Sequence, residues 1–137
     1  MATYNKYQSY IEKLHEAVID WQTHTFKVAL TNTAPNLTTH DERADITELG
    51  AGNGYSSGGP TTTIGATTQS GGTYAPTASD VVITASGGSI GPFRYAVLYD
   101  DTATGDPLVA EWDYGSSITL ANGESFTVDF STLFSAA

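Results

Sequence analysis

At 137 residues without a cysteine, the chain is long enough to bury a core by packing alone, and disulfides and thiolate metal sites are excluded. Fifteen acidic residues against five basic ones give a net charge of -10, which removes the electrostatic footprint of a phosphate-backbone binder and sets the chain against anionic membranes. Charged residues make up only 15%, and Thr, Ser and Gly replace them, as in exposed sheet and tight turns rather than helix.

The start, Met1–Lys6, shows no apolar h-region, and no apolar run approaches the roughly eighteen residues that cross a bilayer. Tyr4, Tyr7, Ile11, Leu14 and Val18 recur at helical spacing, with Asn5, Ser9, Glu12, Lys13 and Glu16 opposite them. The spacing predicts an N-terminal α-helix over about 4–20, with Thr3 as N-cap. Its stripe is expected to cover a sheet edge or one end of the β body, which is placed at about 25–131 of a single domain, 1–137.

Phe26, Val28 and Leu30 alternate inward along a half-buried strand closed by the turn cluster Thr31–Asn36. Leu37–Arg43 reads as loop and Asp45–Leu49 as a short strand. Residues 50–60 are the most glycine-dense window and predict a long irregular loop with Tyr55 as its anchor. Thr61–Thr68 reads as an edge strand and Asp80–Ala85 as a firm one.

The chain is organised around Gly87–Asp101, its longest apolar and aromatic run. Strict alternation puts Phe93, Tyr95, Val97 and Tyr99 on one face and Arg94, Ala96 and Leu98 on the other. Both faces are apolar apart from Arg94, so the strand is expected to be central and covered on both sides. Leu108, Ala110, Trp112 and Tyr114 share a face further on. Ser117–Leu120, Asn122-Gly123 and Phe126–Phe130 predict a hairpin with a type I′ turn, Phe126, Val128 and Phe130 pointing inward. These elements make a mainly β chain, an antiparallel β-sandwich or jelly roll of about seven or eight strands with one helix. Phe93, Tyr95, Val97, Tyr99, Trp112, Phe126 and Val128 are its expected core.

Site chemistry is sparse. Gly54-Tyr55-Ser56-Ser57-Gly58 matches the G-x-S-x-G nucleophile pattern, but that pattern carries meaning on a strand-to-helix turn, and here it falls in a Gly/Ser-rich loop. His15, His24 and His40 have no ligand spacing and read as exposed histidines. Asp100, Asp101 and Asp106 could gather calcium oxygens, yet their spacing is not an EF-hand series, and a solvated turn uses the same residues. Trp21 and Trp112 could offer sugar platforms but fall at inward positions. No enzyme, cofactor or metal site is expected.

Several stretches together carry a resemblance. They are Phe26–Pro35, Ala44–Leu49, Gly52-Asn53-Gly54-Tyr55 and Ala85–Tyr99, and the likeness runs from Tyr4 to Phe130. The chain resembles a family of small virion structural proteins of tailed bacteriophages, similar to capsid decoration (cement) proteins. The resemblance implies a β-sandwich or jelly-roll body made in the bacterial cytoplasm. It also implies a homotrimer seated on the major capsid protein at the outer capsid surface; no catalytic residue carries over, and the acidic charge balance argues against a nucleic-acid or membrane partner. A tail-tube or tail-tip role and a carbohydrate-binding module are the alternatives. If the protein assembles, Tyr4, Tyr7, Asn53 and Tyr55 are the expected contacts, because the N-terminal helix and the 50–60 loop exceed what a compact sandwich needs.

Overall fold

The computed structural model describes residues 2–65 and 68–130. Ala66 and Thr67 of the expected edge strand, and residue 131 at the end of the expected β body, lie outside the described residues. The chain is mainly β and antiparallel with one α-helix, as the alternation predicts. Nine strands occur among the described residues: β1 (Thr3–Lys6), β2 (Phe26–Thr31), β3 (Thr61–Thr62), β4 (Gln69–Ser70), β5 (Thr73–Tyr74), β6 (Val81–Thr84), β7 (Ile90–Asp100), β8 (Leu108–Leu120) and β9 (Ser125–Val128). Three of the nine, β3, β4 and β5, are two-residue pieces.

One sheet has the order β1-β8-β7-β2-β3, while β6 pairs with β9 and β4 with β5. Helix α1 (Ser9–His15) and the β6–β9 ribbon cover one face of the large sheet, a sandwich whose second layer has only two strands. Between the layers lies the main core: Phe26, Val28 and Leu30 of β2, Phe93, Ala96 and Leu98 of β7, Ala110 and Trp112 of β8, and Ile83 and Val128 of the ribbon. The opposite face holds a smaller cluster of Tyr7, Ala29, Ile46, Val97, Tyr99 and Leu108. Strand β7 is therefore central and covered on both sides, which is what its two apolar faces demand.

Strict alternation fails along β7. Phe93 faces the main core with Ala96 and Leu98, whereas Val97 and Tyr99 face the smaller cluster. The cause is irregular pairing with β8: Ile90 opposes Leu120, Phe93 opposes Ile118 and Tyr95 opposes Asp113. Each such bulge shifts the inward parity of the residues beyond it. A further shift between Leu98 and Tyr99 puts Leu108 on the face opposite Ala110 and Trp112, against the alternation expected of the three. The two expected pieces 108–114 and 117–120 are one bulged strand, with Gly115 at φ 84 inside it.

The helix over 4–20 is the largest correction. Thr3–Lys6 pairs with Asp113–Ala110 as an edge strand, and the Tyr4 ring meets Trp112 edge-on at 5.4 Å. The remaining helix has seven residues and ends in a Schellman motif: the Ala17 N–H donates to Leu14 O and the Val18 N–H to Lys13 O, with Ala17 at φ 61. The expected strand 45–49 is a 3-10 turn, Arg43–Asp45, followed by a single bridge between Thr31 and Glu48. The expected hairpin is also absent, since β9 pairs with β6 and the end of β8 with β7. The Asn122-Gly123 turn instead carries the chain between layers, with positive φ at Gly123 alone. Phe126, Val128 and Phe130 do point inward as expected.

Phe93 is fully buried and meets Phe126 edge-on at 5.0 Å, so Phe93→Ala should lower unfolding free energy by about 3–5 kcal/mol in urea titrations. Tyr95, at the margin of the core beside Arg94, should lose less. Exposed Ala17 is left-handed without being glycine, and Ala17→Gly should raise the melting point, worth about 1 kcal/mol.

Candidate functional site

The candidate site is built on the outer edge of β2, where β3 pairs only with Phe26 and Lys27. Beyond them the backbone groups of β2 need other partners. Val28 N–H donates to Pro60 O at 3.0 Å, and Leu49 N–H donates to Leu30 O at 2.8 Å. Leu30 N–H donates to the Tyr55 hydroxyl at 2.9 Å. That hydroxyl donates in turn to Glu48 Oε2 at 3.0 Å, and burial pushes the Tyr55 phenol up, so it keeps the proton it donates.

Glu48 joins the surrounding loops. Its Oε2 also accepts from the Gly58 N–H at 2.5 Å, and its Oε1 accepts from Arg43 Nε and Nη2 at 3.1 and 2.9 Å. Arg43 reaches Ser57 Oγ at 3.2 Å and Asp106 at 3.5 Å, and its guanidinium lies 5.6 Å from the Tyr99 ring centre. The Tyr99 hydroxyl donates to Gly58 O at 2.5 Å. Gly59, at φ 76, lies against the backbone of Val28 so closely that a Cβ would collide with the Val28 carbonyl oxygen. The glycine-dense loop is thus a pinned element.

Above this base sits an exposed tip. Gly52 and Tyr55 exchange backbone bonds around Asn53 (φ 57) and Gly54 (φ 101), so the Asn-Gly type I′ turn falls here, not at Asn122-Gly123. Asn53 O accepts from Ser86 N–H at 2.9 Å, and Asn53 Nδ2 donates to Ser89 O at 2.8 Å. Asn53 is exposed. Tyr55, at 3% exposure, and Tyr7, at 0%, lie inside the chain's own core and are corrected as contacts; Tyr4 is half-buried against Trp112.

The other candidates disperse. Ser56 of the nucleophile-like pattern is exposed and leads into β3, not a helix. Asp100 is fully buried: Oδ2 meets His24 Nδ1 at 2.5 Å, and Oδ1 accepts from the Thr102 and Ala103 N–H groups. Asp101 pairs with Lys27 and Asp106 with Arg43, so the three carboxylates serve three different partners. His24 is correspondingly half-buried, a role its sequence context did not signal. Both tryptophans are core residues, Trp21 stacked on Phe26 at 4.3 Å. Among the described residues no cluster of three His, Asp or Glu is placed to hold a metal, and no helix is long and apolar enough to cross a membrane. Comparison with models of known families, with curated proteins and with solved structures finds no match to this chain.

Tyr55→Phe should leave Leu30 N–H buried without an acceptor and lower stability by about 1–3 kcal/mol, with faster proteolytic nicking inside 50–60 than in the wild type. Unchanged nicking would mean that the loop is held elsewhere.

Proposed function

We propose that this chain is a structural protein of a bacteriophage virion, a decoration subunit that binds the outer capsid shell and stabilises it. The observation that carries the reading is convergence. The four stretches on which the resemblance rests meet in one place: β2, the Glu48-Leu49 edge, the Asn53-Gly54 turn and the Ser86–Ser89 connection are tied together by the bonds through Leu30, Tyr55 and Asn53. A turn fixed this way presents backbone and amide groups with little ordering entropy left to lose, which suits a contact made many times on a lattice.

Charge supports the same reading. The surface hollow lined by Glu42, Arg43, Glu48 and Asp106 sets three carboxylates against one guanidinium, on a chain of net charge -10. Such a surface favours a basic protein partner. A subunit that binds only the assembled shell stabilises it by mass action, about 2.7 kcal/mol per site at a hundred times Kd. A trimer adds avidity by presenting its contact surface three times.

Virions assembled without this chain should release their genome at lower temperature, regain stability when purified protein is added, and lack an outer-shell density present in complete particles. Particles of unchanged heat stability, with the chain found only in the tail, would overturn the assignment in favour of a tail component.

A further inference from the structure

Among the described residues the buried side-chain polar atoms without a hydrogen-bond partner are Tyr4 Oη, Tyr7 Oη, Ser9 Oγ and Glu111 Oε2. All belong to the N-terminal segment or to the strand beneath it, Tyr4 on the main-core face of the sheet and Tyr7 and Glu111 on the opposite face. Tyr4 belongs to β1, Tyr7 follows it, Ser9 begins α1, and Glu111 stands on β8 directly opposite Asn5. No other contact in the described fold leaves so many polar groups unsatisfied, and each one offsets the backbone bonds that hold the strand. The strand is also short and lies at the sheet edge, a location that opens readily.

Glu111 is 4% exposed and shares the sheet face of Val97 and Tyr7. From β1, Asn5 Nδ2 donates to its Oε1 at a long 3.3 Å, and from the following turn Tyr7 lies close enough for the carboxylate to raise its phenol further, after burial. From β8 itself Asp113 repels it, and the Arg94 of β7 that could compensate is bound to Asp113 at 2.8 and 3.1 Å. From the covering segment, Leu37 and Ile46 bring apolar surface to the Tyr7 cluster, and Lys13 is paired with Asp41. The Glu111 carboxyl is accordingly pushed up to about 7, first by burial, with the Asn5 bond opposing and Asp113 adding.

We propose that β1 is a releasable edge strand whose detachment from β8 is controlled by ionisation of Glu111 beneath it. Asn5 and Tyr7 are the lid on that carboxyl, so lifting the segment rehydrates it. A covered carboxyl that keeps its proton to higher pH than a released one favours the docked strand in acid. Docking is firmest at or below about pH 4.5, weakens as the pH climbs to about 7, and carries the whole penalty above that. Asp113, whose carboxyl is held below the usual range by Arg94 and by the Gly115 N–H, stays charged throughout.

The test is hydrogen–deuterium exchange of the full chain at pH 5 and pH 8, read as protection factors after correction for intrinsic rates. The amides that bond between β1 and β8, the Tyr7 N–H to Val109 O among them, should lose protection by roughly seventyfold between the two, as follows for a carboxyl titrating near 4.5 released and about 7 covered, while the β7–β8 and β2–β7 ladders hold. Glu111→Gln should abolish the difference, and Tyr7→Phe should raise protection of the strand at both values. Equal wild-type protection at the two pH values, the same loss in Glu111→Gln, a loss spread evenly over β2–β7, or a strand loosened by Tyr7→Phe would each overturn the proposal.

Discussion

The hydrogen bond from Leu30 N–H to the Tyr55 hydroxyl is the contact on which the arrangement of loops depends. A strand buried on both faces cannot leave its outward amides unpaired, and on the side away from β7 the strand β2 has a neighbour for only two residues. A second full strand would have closed it with backbone alone. Here a tyrosine does so, and the tyrosine must then be held in place. Glu48 holds it, Arg43 and the Gly58 N–H hold Glu48, and Tyr99, from the centre of the sheet, holds Gly58. The need to satisfy one amide thus propagates through two loops and back to β7.

Much of the sheet was legible in the sequence, and its failures have common physical causes. Alternation placed Phe26, Val28 and Leu30 correctly, because β2 runs without a bulge against β7. It misplaced Phe93 relative to Tyr99, because a bulge leaves no mark in a run that is apolar on both faces. Tyr4 and Tyr7 sit at helical spacing and yet flank a strand end. What decides their state is the unpaired edge of β8, more than a hundred positions away, and no local window contains it. Asn-Gly occurs at 53–54 and again at 122–123, and the dipeptide does not say which copy lies between paired backbones.

The candidate site was legible in part. Tyr55 was the expected anchor of the 50–60 loop, and it is; its burial follows from that anchoring and removes it from the exposed surface. The Glu48–Arg43 pair escaped notice because a charged pair five residues apart in a polar segment looks like any solvated pair. Its meaning comes from Tyr55 and Gly58, brought in by the fold. The same holds for Asp100: an acidic turn suggested calcium, whereas the carboxylate caps its own turn and faces His24.

The two sides of the large sheet handle exposed backbone in opposite ways. On the β2 side, polar groups arrive in matched sets: Tyr55 donates to Glu48, and Arg43 donates to Glu48 and to Ser57. On the β1 side, two phenol hydroxyls and one oxygen of the Glu111 carboxyl are carried inward without hydrogen-bond partners, so pairing gained by the backbone is partly lost by the side chains. Matched networks fix one geometry and resist opening, whereas unmatched ones keep a segment docked by a narrow margin. The difference assigns the two sides distinct mechanical characters: a rigid platform at the Asn53 turn, and at the N-terminal strand an edge whose hold depends on the charge beneath it.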